Sequence, residues 1–185
     1  MNKEIVEEIN DGKVYLSKIS TKDIDFVFSS LKDETVSKFL SLGPLISRDH
    51  SQKLIRSYLK YWDKHLQFNY IIELRENNKG LNRKKIGSIN LWNISWLHKR
   101  AEIGIWLSSK YWNQGIAKIA LSLLKNIAFN HLTLNRLEAH IAIENTPSIN
   151  LFKKCGFVQE GVLRHYLNLR GVYHDAVILA LLNKS

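Results

Sequence analysis

The segment from Ala101 to His131 constrains the fold more than any other part of the chain. Its first seven residues are apolar and aromatic around a single carboxylate, Glu102, which is typical of a strand buried on at least one face. After a turn that carries Asn113, Gln114 and Gly115, apolar residues recur at steps of three and four, as on a helix packed against a sheet. These residues are Ile116, Ile119, Ala120, Leu123, Leu124, Ile127 and Ala128. The segment therefore predicts a strand, a tight turn and a long helix that ends near His131.

The start of this helix is a candidate anion site. A glycine at position 115 lets the backbone pack closely, and the first N–H groups of a helix have no partner within the helix. Such an end attracts phosphate. An ordinary corner between a strand and a helix has the same pattern, and a short glycine motif does not decide between the two.

Several motifs, taken in order, resemble the GNAT superfamily of N-acetyltransferases. Trp112–Ala117, with the letters WNQGIA, resembles its acetyl-CoA pyrophosphate motif, whose core is G-x-G or G-x-A. Glu102 stands where that superfamily often has an acidic residue. Residues 145–157, NTPSINLFKKCGF, resemble its second cofactor motif, N-x-x-S followed by a helix that ends in G-F. The tail, residues 160–175, resembles the ribosomal-protein N-terminal acetyltransferases of the RimJ/RimL type. The likeness covers roughly residues 13–182.

The resemblance implies one N-acetyltransferase domain over residues 1–185, with its core at about 13–182. The implied fold is α+β, with helices flanking a mixed, mostly antiparallel sheet of about seven strands that is splayed between the fourth and fifth strands. Periodicity along the chain agrees with this order of elements. The predicted strands are Lys13–Ile19, Phe68–Arg75, Lys85–Ile94, Ala101–Leu107, Asn135–Ile143, Phe157–Asn168 and Val172–Leu182. The predicted helices begin after Thr21, after Ser47 or Asp49, after Gly115 and after a Thr146 cap.

The resemblance also implies acetyl-CoA as the cosubstrate. Pantetheine would pair like an extra strand beside Ile105–Leu107, and a backbone amide near Leu107 would donate to the oxyanion. The pyrophosphate would lie against the N–H groups at the start of the long helix. Trp112 departs from the superfamily, which usually has Gln or Arg there. The residues assigned to the cofactor are Ile105, Trp106, Leu107, Trp112, Asn113, Gln114, Gly115, Ile116, Ala117, Lys118, Asn145, Ser148, Phe152 and Lys154.

Two residues are assigned to catalysis, Glu102 and Ser148. Glu102 is the candidate general base, because a carboxylate on an apolar strand is partly desolvated and its pKa is then raised. The alternative is a structural carboxylate bonded to Arg100 or to a backbone amide. By resemblance, Ser148 would hydrogen-bond the departing thiolate, although a serine at a helix start can instead bond to local backbone. His140 and His174 are weaker candidates for relaying a proton, since strand histidines are more often structural.

The predicted function is direct acetyl transfer to a primary amine, with the N-terminal α-amine of a protein such as a ribosomal protein as the first choice. An α-amine has a reference pKa of about 8 and a polyamine amine one of about 10, so the α-amine needs a weaker base. A small amine such as a polyamine is the alternative acceptor, and the positive charge of the chain argues mildly against a polycation. A non-catalytic acyl-CoA sensor is an alternative of another class. It is supported by Phe152 and Leu167, which stand where relatives have a tyrosine and an acidic residue.

Composition sets further limits on partners. The formal net charge is +10, and one segment is rich in basic residues: Arg75, Lys79, Arg83, Lys84, Lys85, Lys99 and Arg100. A basic surface attracts anions, but it also serves solubility, and no named nucleic-acid motif is present, so specific nucleic-acid binding is not expected. The histidines lack metal-ligand spacing, which predicts no metal. The single cysteine and the lack of a membrane-length apolar run favour a cytoplasmic protein without membrane contact. A homodimer and an association with the ribosome are compatible with the sequence.

Overall fold

The computed structural model describes residues 5–76 and 82–183, and these form an eight-stranded mixed sheet with flanking helices. The strand order is β1-β2-β3-β4-β5-β6-β8-β7. The strands are β1 (Glu8–Asn10), β2 (Val14–Lys18), β3 (Phe68–Arg75), β4 (Arg83–Ser95), β5 (Arg100–Leu107), β6 (Arg136–Ala142), β7 (Val158–Leu169) and β8 (Val172–Leu182). The helices are α1 (Ile24–Leu31), α2 (Glu34–Ser37), α3 (Arg48–Asp63), α4 (Ile116–Asn126) and α5 (Thr146–Lys154). The α+β fold predicted from the sequence is confirmed.

Two short elements were missed by the sequence analysis. Strand β1 has 3 residues and pairs with β2, and helix α2 has 4 residues. Neither is long enough to repeat a hydrophobic period, which is the signal that revealed the longer elements. The predicted polar loop between β3 and β4 falls mainly on residues 77–81, which lie outside the described residues.

The sheet divides between β5 and β6. This is its parallel pair, and the paired residues are Arg100 with Arg136, Ala101 with Leu137 and Glu102 with Glu138. Beyond these pairs, β5 continues to Leu107 and β6 to Ala142 with no further pairing between the two described strands. β5 and β6 are the predicted fourth and fifth strands, so the expected splay is confirmed.

Two hydrophobic clusters cover the sheet. On β3, Tyr70 and Ile72 belong to the cluster that includes α4 and α5, whereas Ile71 belongs to the one around α1 and α3. Because alternate strand residues point to opposite faces, the two clusters lie on opposite faces of the sheet. Trp62 of α3 belongs to the cluster that includes α4 and α5. Its side chain is 4% exposed and packs edge-on against Phe68, so it is a core residue.

Candidate active site

The start of α4 is open at the C-terminal end of β5. Gly115 is the N-cap residue with φ +76°, and no side chain caps the helix. A β-carbon on Gly115 would have no heavy-atom neighbour within 4 Å, and Trp112, Asn113 and Gln114 are exposed around it. The free N–H groups of the first turn of α4 can therefore receive an anion such as a pyrophosphate.

Trp112 has a structural role that explains its presence in the loop. Its indole Nε1 donates to the carbonyl oxygen of Leu107 at 2.8 Å, and the Gln114 amide donates to the carbonyl of Lys110 at 2.8 Å. These bonds tie the loop to the end of β5 and to itself.

The unpaired edge of β5 presents backbone amides towards the splay. The N–H of Gly104 donates to Asn90 Oδ1 at 2.9 Å and that of Ser108 donates to the carbonyl of Ile86 at 2.8 Å, so both point towards β4. Amides of neighbouring strand residues point to opposite sides. The amides of Ile105 and Leu107 consequently point towards β6, into the opening where an extended chain can pair with them.

Helix α5 follows β6, the strand on the other side of the opening. Its N-cap is Asn145, whose Oδ1 accepts from the backbone N–H of Ser148 at 3.4 Å, so the prediction of Thr146 as the cap was wrong. Asparagine is a strong N-cap, and Thr146 is instead the first helical residue. The hydroxyl of the half-buried Ser148 makes no hydrogen bond among the described residues. The alternative role of bonding local backbone is therefore not seen for this hydroxyl.

The remaining predicted cofactor residues separate into two groups. Lys118, on the first turn of α4, and Lys154, at the end of α5, are exposed. Phe152 is 2% exposed and packs edge-on against Phe157, with ring centroids 5.0 Å apart. Its ring therefore belongs to the core, and its contact with the cofactor stays a prediction.

Glu102 lies at the point where β5 and β6 part, and it is buried with 3% exposure. Its Oε1 accepts from Asn93 Nδ2 at 2.5 Å, and its Oε2 lies 2.8 Å from His140 Nδ1. Burial raises the pKa of this carboxyl, but the hydrogen bonds from His140 and Asn93 and the charges of His140 and Arg100 outweigh it. The pKa of Glu102 is therefore below its ordinary value of 4.5.

The expectation of a raised pKa for Glu102 was therefore wrong. The sequence indicated the burial of this carboxylate but not its two hydrogen-bond partners. The alternative partners, Arg100 or a backbone amide, are not seen on Glu102 among the described residues, and Arg100 Nη1 lies 3.6 Å from Glu138 Oε2 instead.

Other charged groups surround this pair. Glu138 accepts from Arg136 Nε at 2.6 Å, and Arg136 also donates to Glu160, with an Nη1 to Oε1 distance of 2.9 Å. His140 Nε2 lies 3.9 Å from Glu138 Oε2, and the ring of Tyr166 lies 4.9 Å from the imidazole ring. Burial and the nearby carboxylates raise the pKa of the Tyr166 phenol. We call the region around the last β5–β6 pair, Glu102 with Glu138, the head of the splay. It is a connected network of carboxylates, arginines and one histidine.

Residues 13–158 match the acetyltransferase (GNAT) domain family. The chain belongs to the GNAT family. It is 25% identical to the uncharacterized N-acetyltransferase YoaA of Bacillus subtilis, over 94% of this chain and 95% of that protein. It is 24% identical to the spermidine N(1)-acetyltransferase of Vibrio cholerae, over 89% and 90% of the two chains. The solved structure of RimL, a ribosomal L7/L12 α-N-protein acetyltransferase in complex with coenzyme A, matches with a TM-score of 0.85 and 19% identity, over 95% of this chain and 98% of that one.

This GNAT protein is an acetyl-CoA-dependent N-acetyltransferase, so the sensor alternative is not retained. The open start of α4 and the free edge of β5 fit the cosubstrate. Within residues 5–76 and 82–183, no group of three or more histidine, cysteine or acidic residues is arranged to hold a metal ion. In the same part of the enzyme, no helix is long and apolar enough to cross a membrane.

Much of the basic segment of this enzyme is paired within the chain. Arg83 Nη1 lies 2.6 Å from Glu8 Oε2, Lys84 Nζ lies 3.4 Å from Glu76 Oε1, and Lys85 Nζ lies 2.5 Å from Asp23 Oδ1. Lys79 lies outside the described residues. These pairs favour the interpretation that the segment serves stability and solubility.

Proposed function

We propose that this N-acetyltransferase modifies the N-terminal α-amine of a protein, with a ribosomal protein as the first candidate. The observation that supports an α-amine over a polyamine is the pairing of the carboxylates at the head of the splay. Glu102 is engaged by His140 and Asn93, Glu138 by Arg136 and Arg100, and Glu160 by Arg136.

This pairing matters because a polyamine carries several positive charges and binds best to free carboxylates. Each of these three carboxylates already has a cationic or hydrogen-bonding partner, and displacing the partners of the buried Glu102 and Glu138 is costly. A single α-amine needs only one neutral nitrogen at the reaction centre. The net charge of +10 also disfavours the approach of a polycation.

The chemistry assigned to each part of the site follows from what acyl transfer requires. When bound, acetyl-CoA supplies a thioester whose carbonyl carbon the amine attacks. The N–H groups at the start of α4 hold the pyrophosphate, helped by the exposed Lys118. The Leu107 amide donates to the oxyanion, and the Ser148 hydroxyl donates to the departing thiolate. Glu102 belongs to the proton-transfer end of the site.

Relatives named for both acceptor classes exist, so likeness alone does not choose between them. RimL is named for a ribosomal protein, and the Vibrio cholerae relative is named for spermidine. Family membership therefore supports the two acceptor classes equally. The choice between them rests on the paired charges around Glu102 and Glu138. Ribosome association, a homodimer and a cytoplasmic location stay predictions.

The test is release of free thiol from acetyl-CoA with defined acceptors. Short peptides that begin with Ser, Ala or Met are compared with the same peptides carrying an acetylated N-terminus, and with spermidine. We expect release with the free peptides and none with the blocked ones, and mass spectrometry should place the added acetyl group on the first residue. Release with spermidine together with silence on all free peptides would move the enzyme to the polyamine class.

A further inference from the structure

We infer that His140 is the general base of the reaction and that Glu102 is the residue that positions it. This inference rests on the acetyltransferase function proposed above. It assigns to a strand histidine the role that the sequence analysis gave to the carboxylate.

Glu102 is poorly placed to accept a proton from an amine. Both of its oxygens already accept hydrogen bonds, from Asn93 and His140. Its lowered pKa makes it a weak base towards an α-amine, whose reference pKa is about 8. An acceptor nitrogen would have to displace one of these two partners in order to reach it.

His140 has the complementary arrangement. An ionised carboxylate only accepts hydrogen bonds, so the bond to Glu102 Oε2 at 2.8 Å places the imidazole proton on Nδ1. The other ring nitrogen, Nε2, then carries the lone pair and can accept a proton. Among the described residues, Nε2 makes no hydrogen bond, and the charged atom beside it is Glu138 Oε2 at 3.9 Å.

The position of His140 in the sheet points to the same role. Glu138 forms the last β5–β6 pair, and His140 is the next residue of β6 whose side chain lies on the same face. His140 therefore lies at the head of the splay, where the edges of β5 and β6 begin to separate. A thioester held along the edge of β5 enters this opening.

Side chains of β5, β6 and β7 surround the His140 ring. Glu102 on β5 and Glu138 on β6 both stabilise an imidazolium, and Tyr166 on β7 covers the ring. The positive charges of Arg100 and Arg136 offset Glu138, since both lie within 4.0 Å of its carboxylate. Acidic, basic and aromatic side chains of three strands thus enclose the ring.

Acetyl transfer proceeds by addition of the amine to the thioester and elimination of the thiolate. The lone pair of the neutral α-amine forms the N–C bond to the thioester carbonyl carbon, and the carbonyl π electrons move to the oxygen. His140 Nε2 takes one proton from the now positive nitrogen. The oxyanion then collapses, the C–S bond breaks, and its electron pair leaves with sulfur as the coenzyme A thiolate. The proton held by His140 passes to the thiolate or to solvent, which restores the base.

The test compares His140→Asn with Glu102→Gln, using acetyl-CoA and an acceptor that the wild type acetylates. Asparagine places an amide donor near the position of Nδ1, so the bond to Glu102 can be kept while the base is removed. The matched control is His174→Asn, because His174 also pairs with a glutamate, Glu144, but at the exposed surface, with an Nδ1 to Oε1 distance of 3.1 Å. Thermal melts and coenzyme A binding establish that each variant is folded.

We expect His140→Asn to lower kcat/KM by about 10²- to 10⁴-fold, as is usual for removal of a general base, with coenzyme A affinity unchanged and the control at the wild-type rate. Glu102→Gln should keep a base but weaken it, so the acid limb of the kcat/KM profile should move to lower pH. If Glu102 is itself the base, that limb disappears in Glu102→Gln, and His140→Asn stays within a few-fold of wild type. Either of these results would overturn the inference.

Nitrogen-15 NMR of histidine-labelled enzyme gives a readout that does not depend on turnover. The neutral His140 ring should carry its proton on Nδ1 in the wild type and lose that preference in Glu102→Gln. A proton on Nε2 in the wild type would contradict the inference. If no tested amine is acetylated, the proposed acceptor class fails, while this spectrum still decides the orientation of His140.

Discussion

Asn93 shows how one residue with an unusual backbone conformation prepares the Glu102 carboxylate. It sits in β4 where the pairing with β5 shifts between Trp92 and Ser95, and its φ is +48°. After glycine, asparagine is among the residues that tolerate this left-handed conformation best. The bulge turns its amide onto Glu102 Oε1, 2.5 Å away. A local irregularity of β4 thereby becomes part of the site.

Replacing Asn93 with glycine should raise the pKa of Glu102, because a hydrogen bond to the ionised carboxylate is lost. A carboxyl whose folded pKa is lowered stabilises the protein above its unfolded pKa, and that stabilisation is lost as the pH falls through the folded pKa. Asn93→Gly should therefore be less stable than wild type at pH 7, and its further loss of stability on acidification should be smaller and should end at a higher pH. Urea unfolding from pH 7 to pH 3 measures this shift.

The matched variant of Asn93 is alanine, which removes the same amide but does not favour a positive φ. Asn93→Ala should show the same acid shift and an additional loss of about 1–2 kcal/mol at all pH values. If the stability curve of Asn93→Gly runs parallel to that of wild type down to pH 3, the bond to Glu102 does not contribute.

The sequence predicts Glu102 as a site residue but not its partners. A lone carboxylate in an apolar strand before a glycine turn is visible in the letters alone. Asn93 and His140 lie 9 and 38 positions away from it, and they reach it through a strand bulge and a three-pair parallel seam. Bulges and strand order depend on packing across the whole sheet, so the direction of the pKa shift was not predictable from local pattern.

At the scale of secondary-structure elements, the start of α4 has two separable properties. Gly115 has φ +76°, which costs a non-glycine residue energy wherever it occurs, and it also borders the open N–H groups of the helix. Gly171, in the β7–β8 turn, has φ +83°, and a β-carbon added there would likewise have no heavy-atom neighbour within 4 Å. The two glycines match in backbone cost and differ in surroundings.

Alanine at either glycine should cost about 1–2 kcal/mol of unfolding free energy, because both adopt left-handed backbone. Only Gly115→Ala should lower the affinity for the cosubstrate, since its added methyl group stands beside the proposed pyrophosphate position. Calorimetric titration with coenzyme A, together with urea unfolding of both variants, separates the two effects. Equal coenzyme A affinity in both variants would place the pyrophosphate elsewhere.

At the scale of the whole molecule, the sheet is held together across the splay by few contacts. Strands β1 to β5 form one part and β6 to β8 the other, and three residue pairs join β5 to β6. The order of long elements was predictable, because each has a clear period of two or between three and four residues. The depth of the splay was not, because it depends on where the facing strands stop pairing rather than on their composition.

The amides of Ile105 and Leu107 should exchange hydrogen faster than that of Gly104 in the free enzyme. Their edge of β5 faces the opening, whereas the Gly104 amide is bonded to Asn90 at 2.9 Å. Saturating coenzyme A should slow the first two amides and leave the third nearly unchanged, because an extended ligand pairs with the free edge. Residue-resolved exchange by NMR checks this, and unchanged rates at Ile105 and Leu107 would exclude pairing there.

Two consecutive residues of β5 pack against opposite faces of the sheet. Trp106 stacks on Phe26 of α1, with ring centroids 5.9 Å apart, whereas Ile105 packs into the cluster that contains α4. An acceptor that shifts α1 would therefore act, through this ring contact, on the strand beside which the cosubstrate is expected to lie. Thermodynamic reciprocity then requires that each substrate change the affinity of the other by the same factor. Cooperative binding of the two substrates is thus possible within a single protomer.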